Sequence, residues 1–412
     1  MKRGPGYREF VILMAVMISI TALSIDMMLP ALPEIGRDLR VDHANDVQLV
    51  VSVLLFGMGI GQLMFGPFSD SFGRKPVIIT GFFIFIMGCV LSIFSNRFEV
   101  MVVGRMIQGI GTAGPRTAII ALVRDRFGGR AMARIMSVVM AIFIVVPAIA
   151  PALGQAVLLT MGWRAIFAVL MIQGIVVVTW FTIRQPETLS REDRIPFSGG
   201  RVMEAVFKVV KNRLSMGYTL ASGLIAGVLM SYLNSAQQIF QEVYGLGRQF
   251  PIYMAVLALF VGGASLVNSR IVMRFGMRML SHRAVLSFVV LTTIYLALTY
   301  QMGGRTPLWL MMVFFAPSFF CMGILFGNLS AIAMEPLKHM AGIGAAIIGS
   351  LSNFISSSLG AIVGRCYDGS TMPLAAGFFI FGLLTAMAMH WAERSRKEAT
   401  SWRRDNVHYS KP

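Results

Sequence analysis

Residues 61–76, GQLMFGPFSDSFGRKP, break an apolar chain with one carboxylate, Asp70, and two adjacent cations, Arg74 and Lys75. Apolar runs of about 20 residues flank the stretch, the length a helix needs to cross a hydrocarbon layer. It therefore reads as a charged turn joining two membrane-crossing helices.

The same pattern extends along the whole chain. Hydrophobic residues make up 56% and charged residues 13%, against roughly a quarter charged in soluble domains. The 31 Met and 30 Phe exceed what one soluble core needs. The expectation is an all-α integral membrane protein with twelve transmembrane helices. They fall at about 9–30, 47–69, 77–96, 99–123, 131–158, 163–183, 215–238, 250–272, 281–300, 307–332, 340–364 and 372–391. The run after MKRGPGYREF has no small-residue cleavage site behind it and is expected to stay as the first span. A polar, basic segment divides the spans evenly. The expected organisation is an N-terminal six-helix half at 1–183, a linker at 184–214, a C-terminal six-helix half at 215–392 and a basic tail at 393–412.

Placing the N-terminus in the cytoplasm puts 27 Lys and Arg residues on that side and 7 on the other, with Arg105 and Arg116 left in the fourth span. Cytoplasmic loops carry such an excess. It accounts for the net charge of +17 without a nucleic-acid partner. GMR at 276–278 reads like a worn copy of GRK at 73–75, about 203 residues later. This internal repeat fits two halves related by pseudo-two-fold symmetry, with a binding site between them.

Polar groups inside the spans are expensive and mark candidate sites. Asp26 lies deepest among the acids and is the first candidate to carry a proton or cation. Arg105 and Gln108, three residues apart, share a helix face. Arg116 follows Arg105 by eleven residues, about 16 Å along the axis and rotated by about 20°, so the two cations form a stripe. Pro147 and Pro151 predict a bent or loosened fifth helix, with Gly154 on the same face. Tyr232, Asn234 and Gln237 offer neutral polar groups for a substrate pocket or for helix pairing.

Enzymatic chemistry has no foothold. The chain lacks a GxxxxGK[ST] loop, and its five histidines form no metal or triad pattern. Cys89, Cys321 and Cys366 have no paired or metal-like spacing. No cofactor, no metal and no catalytic residue are expected.

Together these motifs resemble the major facilitator superfamily over nearly the whole chain. Gly66, Asp70, Gly73, Arg74 and Lys75 match its loop signature after the second helix, with Phe68 and Ser71 departing from it. GRMIQG at 104–109 matches the fourth-helix signature, and Pro147, Pro151 and Gly154 resemble the fifth-helix stretch of drug:proton antiporters, where Gln155 replaces a second glycine. SIDMMLPALPEIGRDL and MEPLKHMAGIGAAIIGSL resemble the bicyclomycin-resistance (Bcr/CflA) branch of multidrug exporters.

The resemblance implies alternating access by two rocking halves, with small amphipathic compounds or drugs exported in exchange for protons. It implies a gating loop in which Asp70 faces the eleventh helix near Met340, Arg74 pairs with Asp125 and Lys75 reaches lipid headgroups. A monomer in a bacterial inner membrane, both termini cytoplasmic, is the matching expectation. An exporter of a native metabolite such as an amino acid, and an importer, remain as alternatives.

Overall fold

The computed structural model describes the backbone of residues 5–127 and 129–408, and the side chains within them except at 44, 124, 129–134, 136–144, 248, 338–341 and 395–408. Met340, His339, His408 and most of the basic tail therefore fall outside the described side chains.

The described residues contain helices and turns and no strand. Apolar side chains that face lipid leave the backbone no partner but itself, and a helix satisfies every mid-chain amide locally. Ten helical stretches are long and apolar enough to cross a membrane, and a shorter apolar one covers Val145–Met161. The long helices are α1 (Tyr7–Asp26), α2 (Leu49–Phe72), α3 (Arg74–Ile93), α4 (Phe98–Arg126), α5 (Gly129–Met161) and α6 (Trp163–Arg184). After the linker come α7 (Arg213–Gln238), α8 (Phe250–Phe275), α9 (Met277–Gln301), α10 (Leu308–Met334), α11 (Ala341–Arg365) and α12 (Met372–His408). The polar run around Arg105 and Arg116 keeps α4 out of the apolar set.

Two corrections to the sequence boundaries have local causes. The first span stops at Asp26, and the chain then winds through a 3-10 turn, Leu29–Ala31, into a short helix, Leu32–Asp38. Pro30 and Pro33 sit at the starts of these two pieces, where a missing N–H costs nothing. The linker is also partly helical, over Gly199–Lys211. Ser198 caps it, its hydroxyl accepting from the Arg201 amide at 3.4 Å, and Ala205 and Val209 are buried.

Within the first half α4 packs on α2 and α3, and α1 packs on α5. Gly109 shows why α2 and α4 come so close: a Cβ there would run into the Leu54 carbonyl of α2. Between the two sets of helices, α2 packs on α11 and α5 on α8. Those two seams join the two sets of helices.

Gly109→Leu should lower the thermal midpoint of the purified protein, by the equivalent of about 2–3 kcal/mol from forced helix separation. Gly263→Leu is the control, because a Cβ at Gly263 meets nothing within 4 Å. Equal shifts for both variants would remove the close-packing argument.

Candidate functional site

Asp26 ends α1 and is 4% exposed. Among the described residues no hydrogen bond or ion pair reaches its carboxyl group. The 3-10 turn that follows it, Leu29–Ala31, packs on α7, which puts Asp26 beside the seam between the two sets of helices. Gly154 of α5 holds the other side of this turn. A Cβ at Gly154 would collide with the Met27 carbonyl, so α5 seats directly on the backbone next to Asp26. Pro147 and Pro151 lie within the same helix, inside its continuous helical backbone.

Arg105 is fully buried and does not pair with Asp26. Its Nη2 donates to the Ser24 carbonyl at 2.8 Å, its Nε to the Val50 carbonyl at 2.9 Å and its Nη1 to Gln108 Oε1 at 2.6 Å. Ser24 belongs to the last turn of α1, whose carbonyls lack onward helical partners. The guanidinium thus fills an acceptor site two residues from Asp26 and places positive charge at a helix C-terminus, where it is favourable. Gln108 is locked in turn, its Nε2 donating to Cys89 Sγ at 3.0 Å. Arg116, three turns on, is only half-buried, so the two cations share a helix but not an environment.

Across the seam, Tyr232, Asn234 and Gln237 are all buried. The Tyr232 ring meets Phe319 edge-on at 4.9 Å, while its hydroxyl has no hydrogen-bond partner. Asn234 Nδ2 donates to Ser52 Oγ of α2 at 2.8 Å, leaving Asn234 Oδ1 unpaired. Gln237 Nε2 donates to Gln241 Oε1 at 2.8 Å, within a π-helical turn, Ile239–Val243, that extends α7. Gln238 Nε2 donates to Asn45 Oδ1 at 2.7 Å, and Asn45 Nδ2 donates onward to the carbonyls of Arg365 and Tyr367. Arg365 Nε also donates to Asp46 Oδ1 at 3.1 Å. Asn45, Ser52 and Gln48 escaped the sequence reading because nothing in their local pattern separates them from ordinary loop and span polarity.

At the opposite end lies the charged turn that opens the chain's reading. Arg74 is 3% exposed. Its Nε donates to Asp125 Oδ2 at 3.0 Å, and its Nη1 donates to Asp70 Oδ1 at 2.6 Å and Ser69 Oγ at 2.9 Å. Asp70 Oδ2 lies 3.6 Å from where a Cβ of Gly342 would stand, in the first turn of α11. Gly66 also faces α11, its would-be Cβ 2.8 Å from Ala346 Cβ. Gly73 has φ +108°, open to glycine and strained for other residues.

Lys75 departs from expectation. Its Nζ donates to the Thr182 carbonyl at 2.7 Å rather than extending to headgroups, because the last turn of α6 offers an unsatisfied acceptor within reach. Glu187 also escaped the sequence reading. Its carboxylate accepts from the backbone amides of Arg74 and Lys75, both at 3.0 Å, and so caps α3 from the linker. No local motif marks it.

A matching cluster serves the second set of helices. Arg278, just after Gly276 at φ +78°, donates to Glu335 and Glu393, and the Tyr218 hydroxyl donates to Glu393 Oε1 at 2.8 Å. The weak repeat of GRK in GMR was the signal for it.

Comparison with known proteins places this architecture. The family model described as Major Facilitator Superfamily matches residues 14–361. The chain is 31% identical over 391 residues to "Uncharacterized MFS-type transporter YdgK" of Bacillus subtilis (strain 168), covering 93% of this chain and 95% of that one. It is 27% identical over 368 residues to "Bicyclomycin resistance protein homolog" of Haemophilus influenzae, covering 89% and 91%. Its fold is similar to that of the human organic anion transporter MFSD10 (TETRAN), with a TM-score of 0.70 and 16% identity over 94% of this chain and 100% of that one. The chain belongs to the major facilitator superfamily: it is a multi-pass membrane transporter and not an enzyme.

Arg74→Ala should lower the thermal midpoint by the equivalent of about 2–4 kcal/mol, since it strands Asp70 and Asp125 together. Arg74→Lys should recover only part, because one ammonium cannot reproduce the forked contacts. Full recovery by Lys would mean that charge alone matters at this turn.

Proposed function

We propose that this transporter exports small amphipathic compounds or drugs in exchange for protons, by alternating access of two six-helix halves. In this reading twelve helices span a bacterial inner membrane, with the basic Gly73 end in the cytoplasm, and 184–214 links halves at 1–183 and 215–392. The observation that carries the proposal is Asp26, buried and without a bonded partner among the described residues, beside the seam where the turn after it packs on α7. An uncompensated carboxylate is costly to bury, and a proton is the smallest species that removes the cost. A group whose charge depends on which half it faces couples proton binding to the choice of state.

The surroundings support a polar subsite beside it. The unpaired buried oxygens of Tyr232, Asn234, Gln48 and Gln238 gather along α7 and the start of α2. Native folds rarely strand such atoms, so a conformation in which they meet substrate or water is expected. Neighbouring Phe240, Phe315 and Phe319 supply apolar contact. Arg105 and Gln108 act as positioning residues that hold the end of α1, and Arg116 lies farther along the same helix. The printed name of the Haemophilus relative, a bicyclomycin resistance homolog, fits export of a drug-like compound.

The seam also supports gating. Asn45, Asp46, Ser52, Asn234, Gln238 and Arg365 bridge the halves at one end, while Gly66 and Asp70 meet α11 at the other. Both ends are thus joined, and each side opens by breaking one set. Gly66, Asp70, Gly73, Arg74, Lys75 and Asp125 form the cytoplasmic gate in this reading. Pro147, Pro151 and Gly154 shape the α5 seam on which the halves turn.

Everted vesicles holding a respiration-driven pH gradient provide the test. A panel of antibiotics and metabolites should contain a compound that discharges the gradient with wild-type protein. With Asp26→Asn the signal should fall to that of vesicles lacking the protein. An equal response from the variant would remove Asp26 as the coupling group. Silence from the whole panel, with expression verified, would count against drug:proton exchange.

A further inference from the structure

A cavity of ≈ 450 Å³ opens between α9 and α12 at the Gly276 end, away from the seam. Its lining has two characters. Toward the helix ends stand His282, His390 and Arg394; further into the helices stand Val285, Leu286 and Met387. Leu286 is one turn beyond His282, and Met387 nearly one turn before His390. Polar groups therefore occupy the end of the groove, and apolar groups the part that lies deeper in the bilayer.

The charge balance of the groove is positive. Glu393, the acid nearest in sequence, is turned away into the Arg278 cluster, where it accepts from Tyr218 and Arg278. Arg394 enters none of the ion pairs or hydrogen bonds among the described residues. His282 Nδ1 is engaged with the Arg278 carbonyl at 2.8 Å, which requires that nitrogen to donate. Nε2 is left for the groove, where it accepts from a headgroup hydroxyl. Trp391, also in the lining, is stacked by Arg213 with the guanidinium carbon 5.3 Å from the ring centroid. An indole at the polar end of a membrane helix is the usual interfacial anchor.

We infer that this groove is a binding site for an anionic phospholipid, its phosphate held at Arg394, its headgroup hydroxyls beside His282 and His390, and the upper part of one acyl chain lying along Val285, Leu286 and Met387. A small free anion would use only the polar end and leave the apolar wall exposed. A zwitterionic lipid would fill the wall yet bring an ammonium group against Arg394. Basic pockets between transmembrane helices bind anionic headgroups by this combination. The site is independent of the proton-coupling reading and needs only that α9 and α12 cross the membrane. It lies one residue from Glu393, so an occupying lipid also borders the cluster that ties α9 to α12 and to the end of α10.

The test is native mass spectrometry on the full-length protein in detergent, with phosphatidylglycerol and phosphatidylcholine at equal concentration. Wild-type protein should retain phosphatidylglycerol in preference. Arg394→Ala should reduce that retention about fivefold, the effect of about 1 kcal/mol for one cation near the headgroup plane. Ala386→Trp, which fills the groove and keeps its charges, should reduce retention of both lipids; unchanged helical circular dichroism would show that each variant is folded. Excess inorganic phosphate should not displace the lipid. Wild-type retention in both variants, or equal retention of the two lipids by wild-type protein, would overturn the site. Full displacement by phosphate would replace the lipid with a small anion.

Discussion

The burial of Arg105 is the constraint from which the first half takes its shape. A guanidinium inside a membrane protein has no water to turn to, and each N–H it buries must find an acceptor. Here the acceptors come from α1, α2 and α4 itself: the Ser24 and Val50 carbonyls and the Gln108 amide oxygen. The cation is compensated by dipoles rather than by a carboxylate. That choice leaves Asp26 unpaired although it stands only two residues from Ser24. An Arg105–Asp26 ion pair would favour the charged carboxylate; tying the arginine to backbone carbonyls keeps the helix end in place without that pair.

Bonding within each set of helices differs in kind from bonding between them. Inside the first set Arg74 draws Asp70, Ser69 and Asp125 together; inside the second Arg278 draws Glu335 and Glu393. These are charge-assisted, partly buried clusters, roughly twice as strong per bond as neutral ones. Across the seam the ties are mostly amides and hydroxyls: Asn234 to Ser52, Gln238 to Asn45, Ser350 to the Gly59 carbonyl, Asn353 to Gln62. Among the described residues the ion pair between Arg365 and Asp46 is the charged exception, and its arginine is more than half exposed, where such pairs contribute little. Strong bonds inside and weak bonds between are what two bodies need if they are to move as units.

Much of this was legible because lipid imposes simple rules. Hydrophobic runs of fixed length announce spans, and a carboxylate or guanidinium inside one must have a reason. Arg105 and Gln108, three residues apart, do meet in space. The stretch from Gly66 to Lys75 could be matched to a family signature, the resemblance implied a pairing of Arg74 with Asp125, and those two side chains do meet. What stayed hidden depends on partners distant in sequence. Glu187 caps α3 across more than a hundred residues, and no periodicity marks a lone acid in a linker as a cap. The pairing of Asn45 with Gln238 likewise exists only because two helices end side by side. Gly154 was read as part of a flexible, proline-loosened stretch. Its observed role is contact, since it lets α5 touch the backbone at Met27.

That contact links the parts. α5 presses on the turn after Asp26 with one face and packs against α8 with another. The turn after Asp26, Leu29–Ala31, also packs on α7, which belongs to the same set as α8. A rotation of one set against the other about the α5–α8 seam would therefore change the packing of α7 on this turn, while Gly154 and Arg105 hold Asp26 within its own set. The carboxyl group belongs to one set, and part of its surroundings to the other. If the sets move as proposed, that motion would change the cost of its charge, and by reciprocity the binding of a proton would change the cost of the motion.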